Sequence, residues 1–138
     1  MRSVMVPVKL DLNLTLTNLD HDYDLIRAIS AVIIEDLPAL IKSLTSAFEV
    51  SDYENVRLVA HSIKGLASNF SVEPLMRFTG TLERDYLALS RREIGALVFE
   101  VESIQEATIC AIRQAVETLP SHDCVGPSSL NPLLPGSA

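Results

Sequence analysis

The first regular pattern of apolar and polar positions lies near the start of the chain, between residues 8 and 16. Apolar and polar residues alternate over this stretch, and a period of two is typical of an extended strand. Leu12, Leu16 and Leu19 also have the spacing of a short helix. Because a single strand cannot satisfy its own backbone, the pattern leaves both an extended arm and a short helix open for residues 1–20.

A helical period begins near Asp24 and continues through Pro38, which we therefore expect to kink the helix rather than end it. The apolar positions that recur at this period are Leu25, Ile29, Val32, Ile33, Leu37, Leu40, Ile41, Leu44 and Phe48. Ile26 and Ile34 widen the apolar face. For these two residues we favour packing inside the bundle over contact with a partner by about two to one, because broad apolar faces are common in bundle helices.

The next helix is predicted to begin at Ser51, where Ser51 and Glu54 have the spacing of a capping box and Asp52 suits the positive helix end. Its buried face would consist of Val56, Val59, Ala60, Ile63, Ala67 and Phe70. Its outward face would carry Arg57, Leu58, His61, Lys64, Gly65 and Ser68. The pattern thus predicts an exposed histidine near the middle of a helix.

Two further helices complete the pattern. One is expected to start near Ser71 and Pro74, and the other at a capping box formed by Ser90 and Glu93. The second would run without interruption to about Leu119. Short connections between long helices make antiparallel neighbours, so the sequence predicts an all-α, up-down antiparallel four-helix bundle.

The chain divides into three parts on this interpretation. Residues 1–20 form the N-terminal arm or short helix, and residues 21–119 form the bundle. Residues 120–138 are rich in Ser, Pro and Gly, so we expect a flexible tail. Within it, His122-Asp123-Cys124 could bind a metal ion, but a lone triplet in a tail more often has no function, and no metal site is predicted.

Composition and charge narrow the range of partners. The 138-residue chain carries a formal charge of −7, which argues against nucleic acid or an anionic membrane surface as a partner. The spacing of Cys110 and Cys124 suggests neither a disulfide framework nor a zinc site, so we expect a reducing, cytoplasmic location. No stretch approaches the length of about 20 apolar residues that a membrane helix needs. We expect a soluble monomer.

The run from Ala60 to Gly65 carries the most specific chemistry. His61 supplies a nucleophilic nitrogen, since the ordinary histidine pKa of about 6.5 leaves much of it neutral. Lys64 and Gly65 lie three and four residues further on, so both are its neighbours on the helix surface. A lysine can hold phosphoryl oxygens, and glycine leaves room for a partner. This spacing indicates a phosphoryl-carrying histidine.

The segment from Asp52 through Phe70 to Leu82 and Glu83 resembles a histidine phosphotransfer (HPt) domain, and the resemblance covers about residues 22–118. It implies that His61 accepts a phosphoryl group from the aspartate of a response-regulator receiver domain and passes it to another receiver. Lys64 would orient the phosphate and Gly65 would give steric clearance. The resemblance also implies a sensor or hybrid histidine kinase upstream, and Mg²⁺ on the receiver rather than on this chain.

Docking residues for the receiver are expected around the histidine: Arg57, Leu58, Ser62, Ser68 and Asn69. The sequence departs from the family at Ser71, where the family often has glycine. The chain contains no glycine-rich phosphate loop and no Asp/Asn set for nucleotide-bound magnesium, so we expect a carrier without kinase activity. Two alternatives remain open: the phosphoacceptor domain of a chemotaxis-type kinase, and a helical adaptor that is not phosphorylated.

Overall fold

A computed structural model describes residues 7–120, and in this part of the chain helices account for nearly all of the regular structure. The helices are α1 (Leu12–Asn18), α2 (Tyr23–Glu49), α3 (Tyr53–Ser68), α4 (Leu75–Asp85), α5 (Arg91–Ser103) and α6 (Gln105–Glu117). Helix α2 packs against α3 on one side and against α5 and α6 on the other, and α4 packs against α3 and α5. Taking α5 and α6 as one stacked pair, this arrangement confirms the predicted four-helix bundle.

The core lies where the four apolar faces meet. The six residues predicted to form the inner face of α3 are all buried: Val56, Val59, Ala60, Ile63, Ala67 and Phe70. Ile26 is fully buried and Ile34 packs against the core, so bundle packing accounts for both. Leu25 and Val32 belong to the apolar period of α2 but are 42% and 49% exposed. The surface of α2 that packs against neighbouring helices is therefore narrower than the set of apolar residues that recur at its helical period.

The N-terminal segment contains both an extended stretch and a short helix, the two forms that its apolar pattern left open. Lys9 pairs with Glu73 through two backbone hydrogen bonds of 2.8 and 2.7 Å, as an isolated extended bridge. Helix α1 follows, capped by the side chain of Asp11. The hydroxyl of the buried Thr15 donates a 2.9 Å hydrogen bond to the carbonyl of Asn69. The segment is therefore attached to the connection between α3 and α4.

The predicted start of α3 needs one correction. Ser51 has a φ of 61°, in the left-handed region, whereas an N-cap residue needs an extended backbone. Asp52 caps the helix instead, because its carboxylate accepts the N–H of Asn55 at 3.2 Å. The capping box of Ser90 and Glu93 is present as predicted. Pro38 lies inside α2, which continues beyond it to Glu49.

The last helix is divided, where a single helix was predicted. Ile104 separates α5 from α6, with a ψ of 6° that leaves the helical range. Its side chain is nevertheless buried, and its carbonyl accepts the N–H of Thr108 at 2.9 Å, which opens α6. The apolar stripe continues across the break, so its period could not reveal the interruption. The proposed tail beyond Pro120 lies outside the described residues.

Candidate functional site

His61 lies near the middle of α3, and its side chain is 66% exposed. The neighbouring Ala60 and Ile63 are completely buried, which fixes the rotation of the helix about its axis. Because residues on a helix advance by about 100° each, the burial of these two positions turns residue 61 outward. The core thus presents the imidazole to solvent on a rigid element.

A carboxylate from the neighbouring helix holds one side of the His61 ring. Oε2 of Glu83, on α4, lies 2.5 Å from Nδ1 of His61. A carboxylate is an acceptor, so this geometry places the ring proton on Nδ1. Nε2, the other ring nitrogen, then carries the free lone pair.

The second oxygen of Glu83 faces Lys64. Oε1 lies 3.2 Å from Nζ of Lys64, and the Glu83 side chain is 23% exposed. Oε1 is itself buried, and the ammonium group of Lys64 pairs with it. The hydrogen bond from His61 lowers the pKa of Glu83 below its usual value, and Lys64 lowers that pKa further. Glu83 is therefore ionised near neutral pH.

The glycine beside the histidine opens onto empty space. A Cβ atom built on Gly65 would meet no other group within 4 Å. Packing does not require a glycine there, although glycine costs about 1 kcal/mol relative to alanine inside a helix. Gly80 lies on α4 beside Lys64, where a Cβ would contact Cδ of the lysine at 3.7 Å. That is an ordinary contact distance.

The predicted docking residues fall into different environments. Leu58 and Ser62 are exposed, and the Ser62 hydroxyl donates to the carbonyl of Leu58. The guanidinium of Arg57 is occupied, because it pairs with Glu54 and lies 5.9 Å from the ring centre of Tyr86. Arg57 thus already has one partner on α3 itself and another at the end of α4.

The other two predicted docking residues lie at the end of α3. The hydroxyl of Ser68 donates a 2.7 Å hydrogen bond to the carbonyl of Gly65. The amide group of Asn69 donates to the carbonyl of Leu66 at 3.2 Å. Both side chains are exposed, and both stabilise the last turn of the helix that carries His61.

An apolar groove runs along the opposite side of α3, between α3 and α2. It has a volume of about 250 Å³, and its lining residues are Ala28, Ile29, Val32, Ile33, Leu66 and Asn69. The half-exposed Val32 belongs to this groove. Helix α3 thus has an apolar flank towards α2 and an ionic flank, at Glu83, towards α4.

Sequence reasoning assigned no role to Glu83, although it appears in the segment that resembles the family. Its position 22 residues after His61 gives no local signal, because the two side chains meet only through the packing of α3 against α4. Among residues 7–120, no group of three or more His, Cys, Asp or Glu side chains could hold a metal ion. No helix in the same range is long and apolar enough to cross a membrane. His122 and Cys124 lie outside the described residues.

A helical bundle with an exposed histidine, a lysine one turn further on and a supporting carboxylate has the features of a phosphotransfer module. The family model of the Hpt domain matches residues 28–121, more than half of the 138-residue chain. The chain belongs to the Hpt domain family and therefore has a phosphotransfer-related role in two-component signalling. Neither the curated proteins nor the solved structures gave a match to the chain.

Proposed function

We propose that this protein accepts a phosphoryl group on Nε2 of His61 from the aspartate of one receiver domain and passes it to the aspartate of another. The observation that carries the proposal is the exposed imidazole in the middle of α3, with Nδ1 bound to Glu83. An incoming aspartyl phosphate can approach Nε2 from solvent. Lys64 and Gly65 would supply charge and clearance, as the sequence suggested.

The geometry suits transfer between proteins better than attack on a small molecule. A nucleotide-dependent kinase needs a cleft that binds phosphates and magnesium, whereas the side chain of His61 is largely exposed on the surface of α3. Positioning of the reacting groups then depends on a partner that docks around the histidine and excludes water. We assign the partner's Mg²⁺ to the receiver, and this chain acts as a carrier without kinase activity of its own.

The apolar groove between α2 and α3 is our candidate docking surface. Half-exposed Val32 lines this groove on α2, and half-exposed Leu58 lies on α3. Apolar contact of this limited size suits a transient complex, which a carrier that must leave one partner and find another requires. Arg57 contributes less than the sequence suggested, since Glu54 and Tyr86 already occupy it.

The proposal is tested by incubating the purified protein with a panel of isolated receiver domains that carry ³²P on their aspartates. We expect label to move to this protein, to be lost in acid and to survive base, as for phosphohistidine. His61→Gln should abolish uptake with an unchanged helical circular-dichroism spectrum, because an exposed side chain contributes little to packing.

His21→Gln is the matched control, since His21 is also exposed but lies in the turn before α2. That variant should take up label like the wild type. Uptake by His61→Gln would contradict the assignment of the phosphoacceptor. Uptake from an ATP-bound kinase domain but from no receiver would favour the chemotaxis-type alternative, and no uptake from either would favour the adaptor.

A further inference from the structure

Two grooves lie between α2 and α3, one towards each end of the helix pair. The apolar groove lies at the start of α2 and the end of α3. The other, which we call the polar groove, lies at the end of α2 and the start of α3 and has a volume of about 580 Å³. Its lining residues are Ala39, Lys42, Ser43, Ser46, Ala47, Val50, Asp52 and Asn55. A short stretch of each helix separates the two grooves.

Asp36 lies on α2 between the two grooves. It is seven residues after Ile29, which lines the apolar groove, and seven before Ser43, which lines the polar groove. Seven residues are nearly two turns of a helix, so the three residues lie on one side of α2, towards α3. The Asp36 side chain is exposed, and none of the ion pairs within residues 7–120 involves it. Its carboxylate is therefore available to a partner.

Ser62 has the matching position on α3. It is seven residues after Asn55, which lines the polar groove, and seven before Asn69, which lines the apolar groove. The same helical spacing therefore places Ser62 on the side of α3 towards α2. Because α2 and α3 run in opposite directions, Ser62 and Asp36 lie at the same level between the grooves.

These two side chains offer hydrogen-bond acceptors but no donor. The Ser62 hydroxyl donates to the carbonyl of Leu58 at 3.3 Å, so its oxygen remains as an acceptor. A carboxylate only accepts. We infer that Asp36, together with Ser62, selects receiver domains that place a lysine or arginine side chain between the two grooves, beside His61. This inference rests on the proposed function and names the chemistry of the partner's surface.

A charge at this place acts on the choice of partner rather than on the transfer step. The partner brings a negatively charged phosphoryl group to His61, and the Asp36 carboxylate repels a partner whose docking surface is uniformly negative. A receiver with a cation at this level gains an ion pair and is held in one orientation. Complementary charges of this kind govern association, whereas transfer inside the complex depends on His61 and Lys64.

The test measures ³²P transfer to this protein at increasing concentrations of a receiver that labels the wild type. Asp36→Asn keeps the shape of the side chain but removes its charge. We expect the half-saturating receiver concentration to rise about twofold to fivefold, the range of an exposed ion pair. Asp36→Lys should raise it further, because two like charges then meet. The rate at saturating receiver should keep its wild-type value in both variants.

Glu102→Lys is the matched control. Glu102 is exposed on α5 and lines a cleft that α2 forms with α5 and α6 rather than with α3. The substitution changes the net charge by the same amount as Asp36→Lys. We expect the half-saturating receiver concentration of the wild type in this control. Circular dichroism of all variants checks that the bundle is folded.

A charge exchange identifies the partner's side of the contact. The exposed lysines and arginines of the same receiver are replaced one at a time by glutamate. One of these receiver variants should transfer poorly to the wild type and well to Asp36→Lys, because the exchange restores a pair of opposite charges. If no receiver variant favours Asp36→Lys over the wild type, the inference is wrong.

The remaining outcomes separate the inference from the proposed function. A wild type that takes up label, together with Asp36 variants of the same half-saturating concentration, would overturn the inference alone. An equal rise in Glu102→Lys would also overturn it, because net charge would then explain the effect. A lower rate at saturating receiver with an unchanged half-saturating concentration would contradict a role in partner choice. A wild type that accepts no label from any receiver would overturn both.

Discussion

The phosphoryl transfer that we propose for this protein involves His61, Lys64 and Gly65 of α3, and Glu83 of α4 contacts two of them. His61, Lys64 and Gly65 could be predicted from the sequence because they share one helix, where spacing alone decides which side chains are neighbours. Glu83 could not be assigned a role in the same way, since its contact with His61 depends on the register of two helices. Local spacing thus indicated a candidate phosphoacceptor, but not the carboxylate that contacts it.

Lys64 should lower the barrier to transfer by holding phosphoryl oxygens. We expect Lys64→Ala to slow phosphoryl uptake by about tenfold to a thousandfold, the range found when one charge-stabilising group is removed. Lys64→Arg should retain more activity because it keeps the positive charge. Rapid-quench measurement of ³²P transfer gives the rates. Equal rates for Lys64→Ala and wild type would show that the lysine is only a solvated surface charge without a role in transfer.

Gly65 allows stability and function to be separated. Its Cβ position is open, so Gly65→Ala should raise the free energy of unfolding by about 0.5 to 1 kcal/mol, as alanine favours the helix. Gly65→Gln should also fold, but its long side chain one turn from His61 would obstruct the receiver. Urea denaturation and transfer rates test both statements. A stable Gly65→Gln variant with the wild-type rate would remove the steric argument, and an unfolded one would make Gly65 a packing residue.

At the level of elements, the helices were predicted well and their ends less well. The inner face of α3 followed from its apolar period, and the start of α5 followed from its capping box. The break at Ile104 was missed because the backbone changes there while the side chain stays buried. The N-cap of α3 was predicted one residue too early, at Ser51 instead of Asp52, because the spacing of Ser51 and Glu54 resembles a capping box and gives no sign of the left-handed backbone at Ser51.

Ser71, where the family often has glycine, adopts a backbone conformation that glycine prefers. Its φ is 52°, which costs an ordinary residue about 1 kcal/mol or more and glycine almost nothing. We therefore expect Ser71→Gly to raise the free energy of unfolding by up to about 1 kcal/mol. Ser62→Gly, in the middle of α3, is the control and should lower it by about 0.5 kcal/mol. A loss of stability in Ser71→Gly, measured by urea denaturation, would contradict this explanation.

At the level of the whole molecule, α3 has ionic contacts on the side that faces α4 and an apolar groove on the side that faces α2. Two carboxylates on the ionic side, Glu83 and Glu54, have lowered pKa values. For Glu83 the main cause is the hydrogen bond from His61, followed by Lys64. For Glu54 the main cause is the hydrogen bond from Arg57, followed by that from Tyr86. Both clusters connect α3 to α4, so protonation should weaken the contact between these helices.

The sign of the resulting pH dependence follows from these shifts. Each carboxyl group has a lower pKa in the folded protein than the ordinary 4.5, so the unfolded chain binds its proton more readily. The stabilising contribution is complete above pH 4.5 and is lost as the pH falls through the folded-state value. The free energy of unfolding should therefore decrease over this acidic range. The effect should be modest and should shrink in high salt, because both groups are partly in solvent.

Urea denaturation at neutral pH and at steps below pH 4.5 measures this dependence. Glu83→Gln and Glu54→Gln should each show a shallower decrease than the wild type, because an amide cannot titrate. Their effects should be nearly additive if the two clusters stabilise the contact between α3 and α4 independently. Identical slopes for the wild type and both variants would show that neither carboxylate is stabilised by its partners in the folded state. A slope changed by Glu54→Gln alone would mean that the contact of Glu83 with His61 contributes nothing measurable to stability.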